Sequence, residues 1–144
     1  MILYVTAAGI FILDRLTKYA VMNYLEAGRS IKFFDFFHIT LVFNTGTAFG
    51  LFKNLNDFFI VISALAVTLI ALYAFKNRAL GFFYSVSLGL VMGGAAGNLV
   101  DRIKFGSVVD FLDFRVWPVF NVADSAISVG IATLVLMTLF TRRA

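Results

Sequence analysis

The sequence predicts a mainly α-helical membrane protein, with four transmembrane helices and short strands between the first two. Three observations carry that prediction. Hydrophobic residues make up 61% of the chain and charged residues only 14%, whereas soluble domains are less apolar and more heavily charged. Four segments hold an apolar run close to the roughly 20 residues that a bilayer crossing needs. The stretch from Ile31 to Phe43 is dense in Phe, Ile, Thr and Val and is bounded by turn residues, which reads as strands lying near the membrane.

The first span, about residues 1–22, is the least regular. Met1 to Leu13 is uncharged, but Asp14, Arg15 and Lys18 follow. It crosses a bilayer only if these charges lie near one interface, with Arg15 and Lys18 reaching outward. Its start lacks the basic region of a removable signal peptide, and its small-residue cluster Thr6 to Gly9 comes too early for a cleavage site, so it is read as a retained span. A long connection, Glu26 to Asp57, then carries turn residues at Gly28, Asn44-Thr45-Gly46 and Asn54. The spans at 58–75 and 80–100 contain no charge and are joined by a tight connection at Lys76 to Leu80. Asp101 to Asn121 is a second long connection and holds the only proline, Pro118. The fourth span is 122–141, and residues 1–144 read as one membrane-embedded domain.

Four spans put both long connections on one side and the termini on the other. Lys76, Arg78, Arg142 and Arg143 crowd the short-loop side. Their density predicts a cytoplasmic short loop, although the raw count of basic residues is higher on the long-loop side.

The chain has no cysteine and one histidine, His38. A thiolate nucleophile is therefore excluded, and neither metal nor cofactor is expected. The net charge of +4 comes from basic residues flanking apolar runs, a pattern of topology and headgroup contact, not of nucleic-acid binding.

Gly89, Gly93 and Gly97 share one helical face, where small residues let another helix approach closely; Gly94 widens it. Such packing also brings Asn98 toward a shared polar site. Four acids, Asp14, Asp101, Asp110 and Asp124, lie in or beside spans, where acids are costly. Asp14 has Lys18 one turn on, and Asp101 has Arg102 as neighbour. Asp110 and Asp124 have no basic residue within four positions, and apolar groups bracket both. Two carboxylates in one desolvated site cannot both ionise. A pair sharing a proton is what an aspartic peptidase uses: one carboxylate activates water while the other polarises the scissile carbonyl. Residue chemistry alone leaves this open against a structural or proton-coupling role. A proton-coupled transporter would want acids at mid-membrane, and a non-catalytic scaffold gives no reason for two desolvated acids.

Five motifs in order then resemble one family. They are Asp14-Arg15-Leu16-Thr17-Lys18, Asn44-Thr45-Gly46-Thr47-Ala48-Phe49, Gly93 through Arg102, Val108-Val109-Asp110-Phe111, and Phe120-Asn121-Val122-Ala123-Asp124. The chain resembles the lipoprotein signal peptidases, or signal peptidase II. That resemblance implies an aspartic endopeptidase of the bacterial cytoplasmic membrane that cleaves prolipoproteins just before the diacylglyceryl-modified cysteine. Its substrates would be lipid-modified prolipoproteins met among membrane lipids, by an enzyme expected to be a monomer. It implies catalytic roles for Asp110 and Asp124. Supporting roles fall to Asp14, Lys18, Asn44, Gly46, Ala48, Gly94, Asn98, Asp101, Arg102, Asn121 and Ala123. It further implies a small extracytoplasmic β-sheet cradle between spans one and two, cytoplasmic termini, and an active site toward the extracytoplasmic face. Two departures stand out: Arg15 stands where many relatives carry Gln, and the stretch from Asp110 to Asp124 is short.

Overall fold

The computed structural model describes residues 1–46, 55–77 and 79–141. In chain order it has α1 (Ile2–Tyr24), β1 (Ser30–Phe34), β2 (Phe37–Asn44), α2 (Leu55–Lys76), α3 (Phe82–Phe105), β3 (Val108–Asp113) and α4 (Val122–Thr141). Ala48, expected among the supporting residues, lies outside the described residues, as do Arg78, Arg142 and Arg143.

Three helices, α2, α3 and α4, are long and apolar enough to cross a membrane. Helix α1 has the length, 23 residues, but carries Asp14, Arg15 and Lys18. The expectation that Lys18 reaches outward is wrong. Lys18 and Asp14 are fully buried, and Arg15 is mostly so. An ammonium can stay in an apolar interior only when ion pairs and hydrogen bonds replace its water, and α3 supplies them.

Helix α3 is the hub and packs against α1, α2 and α4. Its small-residue faces allow this. A Cβ on Gly93 would come 2.5 Å from the Ala7 carbonyl of α1, and one on Gly97 would strike the Asp14 carboxylate. Contrary to the expectation that it widens that face, Gly94 points elsewhere. It faces α4, where a Cβ would meet the Ala123 carbonyl at 2.5 Å. Helix α3 also runs five residues past the expected end at 100. Asp101 is buried by partners and does not begin a loop. The helix stops at Gly106, whose φ of 69° gives the left-handed C-cap that favours glycine.

The strands form one antiparallel sheet in the order β1-β2-β3. The expected strand stretch is thus an antiparallel pair, Ser30 opposite Thr40 and Lys32 opposite His38. The sheet is not confined to the segment between the first two helices, however. β3 comes from the connection after α3 and pairs with β2, placing Val42 opposite Asp110 and His38 opposite Asp113. Beyond β3 the chain doubles back. Phe120 donates to the Leu112 carbonyl at 3.1 Å and accepts from Leu112 at 2.7 Å. That bridge delivers Asn121 and the first turn of α4 to the side of β3.

Candidate active site

The second half of α1, the end of α3, strand β3 and the start of α4 meet around a buried polar cluster with two halves. In the first half every acid has a basic partner. Lys18 Nζ lies 2.7 Å from Asp101 Oδ2 and 2.9 Å from Asp14 Oδ2. Arg15 donates to Asp101 Oδ1 and, at 3.3 Å, to the Gly97 carbonyl. The expected Asp14–Lys18 pair is present. The expected Asp101–Arg102 pair is not, because the partners of Asp101 are Lys18 and Arg15 on α1. The Arg102 guanidinium instead lies 4.9 Å over the Phe59 ring. The four formal charges cancel, which removes most of the cost of burying them.

Each of these acids also grips backbone. Asp101 Oδ2 accepts the Val109 N–H at 3.2 Å, and Asp14 Oδ1 accepts the Ala123 N–H at 3.1 Å. Val109 immediately precedes Asp110, and Ala123 immediately precedes Asp124. The charge cluster therefore fixes the backbone beneath both remaining acids.

In the second half, Asp110 and Asp124 are held by amides. Asp110 is buried and Asp124 half-buried. Asn44 Nδ2 donates to Asp110 Oδ2 at 2.9 Å, and Asn121 Nδ2 to Asp110 Oδ1 at 2.7 Å. Asn98 Nδ2 donates to Asp124 Oδ1 at 2.7 Å, and the Asn121 N–H to Asp124 Oδ2 at 3.3 Å. Asn121 thus binds both acids.

The orientation of each amide follows from a partner that can only donate. Lys18, which has no acceptor, lies 2.9 Å from Asn98 Oδ1, so the NH₂ of Asn98 must face Asp124. The Asp124 N–H takes Asn121 Oδ1 at 2.8 Å, turning its NH₂ to Asp110. The Gly46 N–H takes Asn44 Oδ1 at 2.9 Å, with the same result. Gly46 is left-handed at φ 77°, and a Cβ there would sit 2.7 Å from the Phe59 ring. Phe59 therefore links the Asn44 turn to Arg102. The sequence reading missed Phe59, and one more apolar residue in an apolar span gave no signal for it.

Burial pushes the Asp110 carboxyl up to about 6, the hydrogen bond from Asn44 opposes the rise, and the nearby Asp124 adds to it. Beside Asp124 opens a groove of about 560 Å³, lined by Phe114, Val116, Trp117, Phe120 and Ser125 among others. Among the described residues no cluster of His, Asp and Glu is arranged to hold a metal ion. This geometry suits acid–base chemistry by a carboxyl of raised pKa with a second acid close enough to influence it.

Residues 6–140 match the family described as "Signal peptidase (SPase) II". A lipoprotein signal peptidase from Halothermothrix orenii is 44% identical over 134 residues, covering 92% of each chain. One from Brevibacillus brevis is 45% identical, covering 92% of this chain and 91% of its own. A solved structure described as a bacterial membrane enzyme superposes with a TM-score of 0.85 at 30% identity, covering 94% of this chain and 90% of that one. The chain belongs to the signal peptidase II family and is a peptidase. With its apolar helices, that makes it a multi-pass membrane protein.

Proposed function

We propose that this signal peptidase II family member removes signal peptides from prolipoproteins, with Asp110 and Asp124 as its catalytic pair. The observation that carries the pairing is that Asn121 hydrogen-bonds to both acids, while among the described residues neither acid has an ion-pair partner. Burial with amide donors alone favours one shared proton over two full charges. The ionised partner takes a proton from a water molecule, whose oxygen attacks the scissile carbonyl. The protonated partner donates to the carbonyl oxygen as it becomes tetrahedral. The C–N bond then breaks as the leaving nitrogen takes up the proton gained from water; the hydroxyl made from the carbonyl oxygen returns its proton as the carbonyl re-forms, and the pair again holds one proton. Asn44, Asn98 and Asn121 hold the carboxylates at fixed angles throughout.

In this reading α1 is a fourth span, its charges neutralised against α3. The chain is one domain over residues 1–144 in the cytoplasmic membrane, with cytoplasmic termini and the site toward the extracytoplasmic face. The substrate is then itself held by its acyl chains, with the bond to be cut near the interface. The exposed rings of Phe33, Phe34 and Phe36 at the β1–β2 turn suit contact with that lipid zone.

The test is cleavage of a diacylglyceryl-modified precursor by purified Asp110→Asn and Asp124→Asn variants. Both are expected to lose turnover while folding normally; near-normal turnover by either would rule out the pair.

A further inference from the structure

Asp113, at the end of β3, is 5% exposed and takes no part in the chemistry above. Its Oδ1 accepts the Arg115 N–H at 2.9 Å; its Oδ2 accepts the Arg115 guanidinium at 3.1 Å and the Thr40 hydroxyl at 2.7 Å. The Thr40 proton being spent, its oxygen accepts from Ser30 at 2.8 Å. The Ser30 oxygen then accepts from His38 Nδ1 at 3.1 Å. One directed chain of hydrogen bonds therefore crosses all three strands and ends on this carboxylate. Burial pushes the Asp113 carboxyl up, but the bonds from Thr40 and Arg115 outweigh it and hold it below the usual carboxylate range.

Arg115 is the one non-glycine with positive φ among the described residues, at 65°. That conformation is strained for any residue that carries a side chain. Beyond it, Val116 and Trp117 project with 92% and 69% exposure and line the groove beside Asp124. The base of this loop is held independently by the Leu112–Phe120 bridge and the stacked Phe114 and Phe120 rings, 5.8 Å apart. The tip is tied back by Asp113 and by the Val116 N–H on the Phe114 carbonyl.

We propose that Asp113 is a positioning residue for substrate binding: it latches Arg115 in its left-handed turn and thereby fixes Val116 and Trp117 as a wall of the groove. This rests on the groove being the peptidase's substrate site. Losing the latch frees the wall without disturbing the two acids, so binding weakens and the chemical step does not.

The experiment uses the full chain in lipid nanodiscs with a lipidated precursor. Trp117 is the only tryptophan, so its fluorescence reports the wall directly. Asp113→Ala is expected to raise KM about tenfold, the size set by the released backbone strain, with kcat within about twofold. It should also increase acrylamide quenching of Trp117. Asp113→Asn keeps an acceptor for the Arg115 N–H but loses the one for its guanidinium, and should fall between wild type and Asp113→Ala in both readouts. Arg115→Gly added to Asp113→Ala should recover most of the KM, because glycine takes positive φ without strain. Wild-type KM and quenching in Asp113→Ala, a loss of kcat at constant KM, or no recovery by Arg115→Gly would each overturn the latch. Failure of the wild-type chain to cleave the precursor would instead overturn the peptidase reading, and the quenching comparison still decides whether Asp113 holds the wall.

Discussion

Two pairs of acids lie side by side where α1, the end of α3, strand β3 and the start of α4 meet, and their partners differ. Asp14 and Asp101 are bonded to Lys18 and Arg15. Asp110 and Asp124 are bonded to the amides of Asn44, Asn98 and Asn121. A cation cancels a buried carboxylate's charge where it stands. An amide orients the carboxylate but leaves its charge, so a buried pair settles the excess by holding a proton. In the proposed mechanism the same residue type is structural in one place and proton-exchanging in the other. Lys18 joins the halves, since it touches both salt-bridged acids and also sets the Asn98 amide.

Substitutions that exchange the two kinds of partner test this contrast. The largest expected effect is on turnover: Asp110→Asn and Asp124→Asn each lower kcat by about 10⁴-fold or more in a single-turnover assay. The melting temperature of both variants should stay close to wild type. Next is Lys18→Met, which leaves Asp14 and Asp101 buried with only Arg15. It should destabilise the protein by about 3–5 kcal/mol, read as a fall in melting temperature and in folded yield.

Asn98→Ala removes one charged-acceptor hydrogen bond from Asp124 and should cost about 10- to 100-fold in kcat, with little change in KM. A pH effect comes next. Asp110 holds its proton up to about 6, and the pair needs one proton, so kcat/KM should fall as pH rises through that region. Asn44 favours the ionised form of Asp110, so Asn44→Ala should move this alkaline limb to higher pH. A limb that stays put or moves down would detach Asn44 from Asp110. The smallest contrast is between glycines. Gly93→Ala drives a methyl into the backbone of α1 and should cost about 1–3 kcal/mol. Gly9→Ala, with nothing within 4 Å of the added carbon, should leave melting unchanged.

Much of this was legible from residues alone, but unevenly. The Asp14–Lys18 pair followed from one-turn spacing, and the glycine face of α3 from its four-residue period. The absence of nearby bases around Asp110 and Asp124 singled them out, and among the described residues neither has an ion-pair partner. The partners of Asp101 were not legible, because the adjacent Arg102 was the obvious choice and the real ones are on a distant helix. β3 was also missed. Its residues are buried almost throughout, so it lacks the in–out alternation that betrays a half-exposed strand. Asp113 gave no signal, because its role depends on Thr40 across the sheet and on a left-handed Arg115 that composition does not announce.

The central claim is that amide-held acids do chemistry and salt-bridged acids hold structure. Its most direct test is turnover per folded molecule for Asp124→Asn beside Asp14→Asn, with folded fraction measured in the same samples. The account predicts that Asp124→Asn folds fully and does not cleave. It predicts that Asp14→Asn loses activity only in step with its folded fraction. Full folding with wild-type turnover in Asp124→Asn, or a fully folded but inert Asp14→Asn, would contradict it.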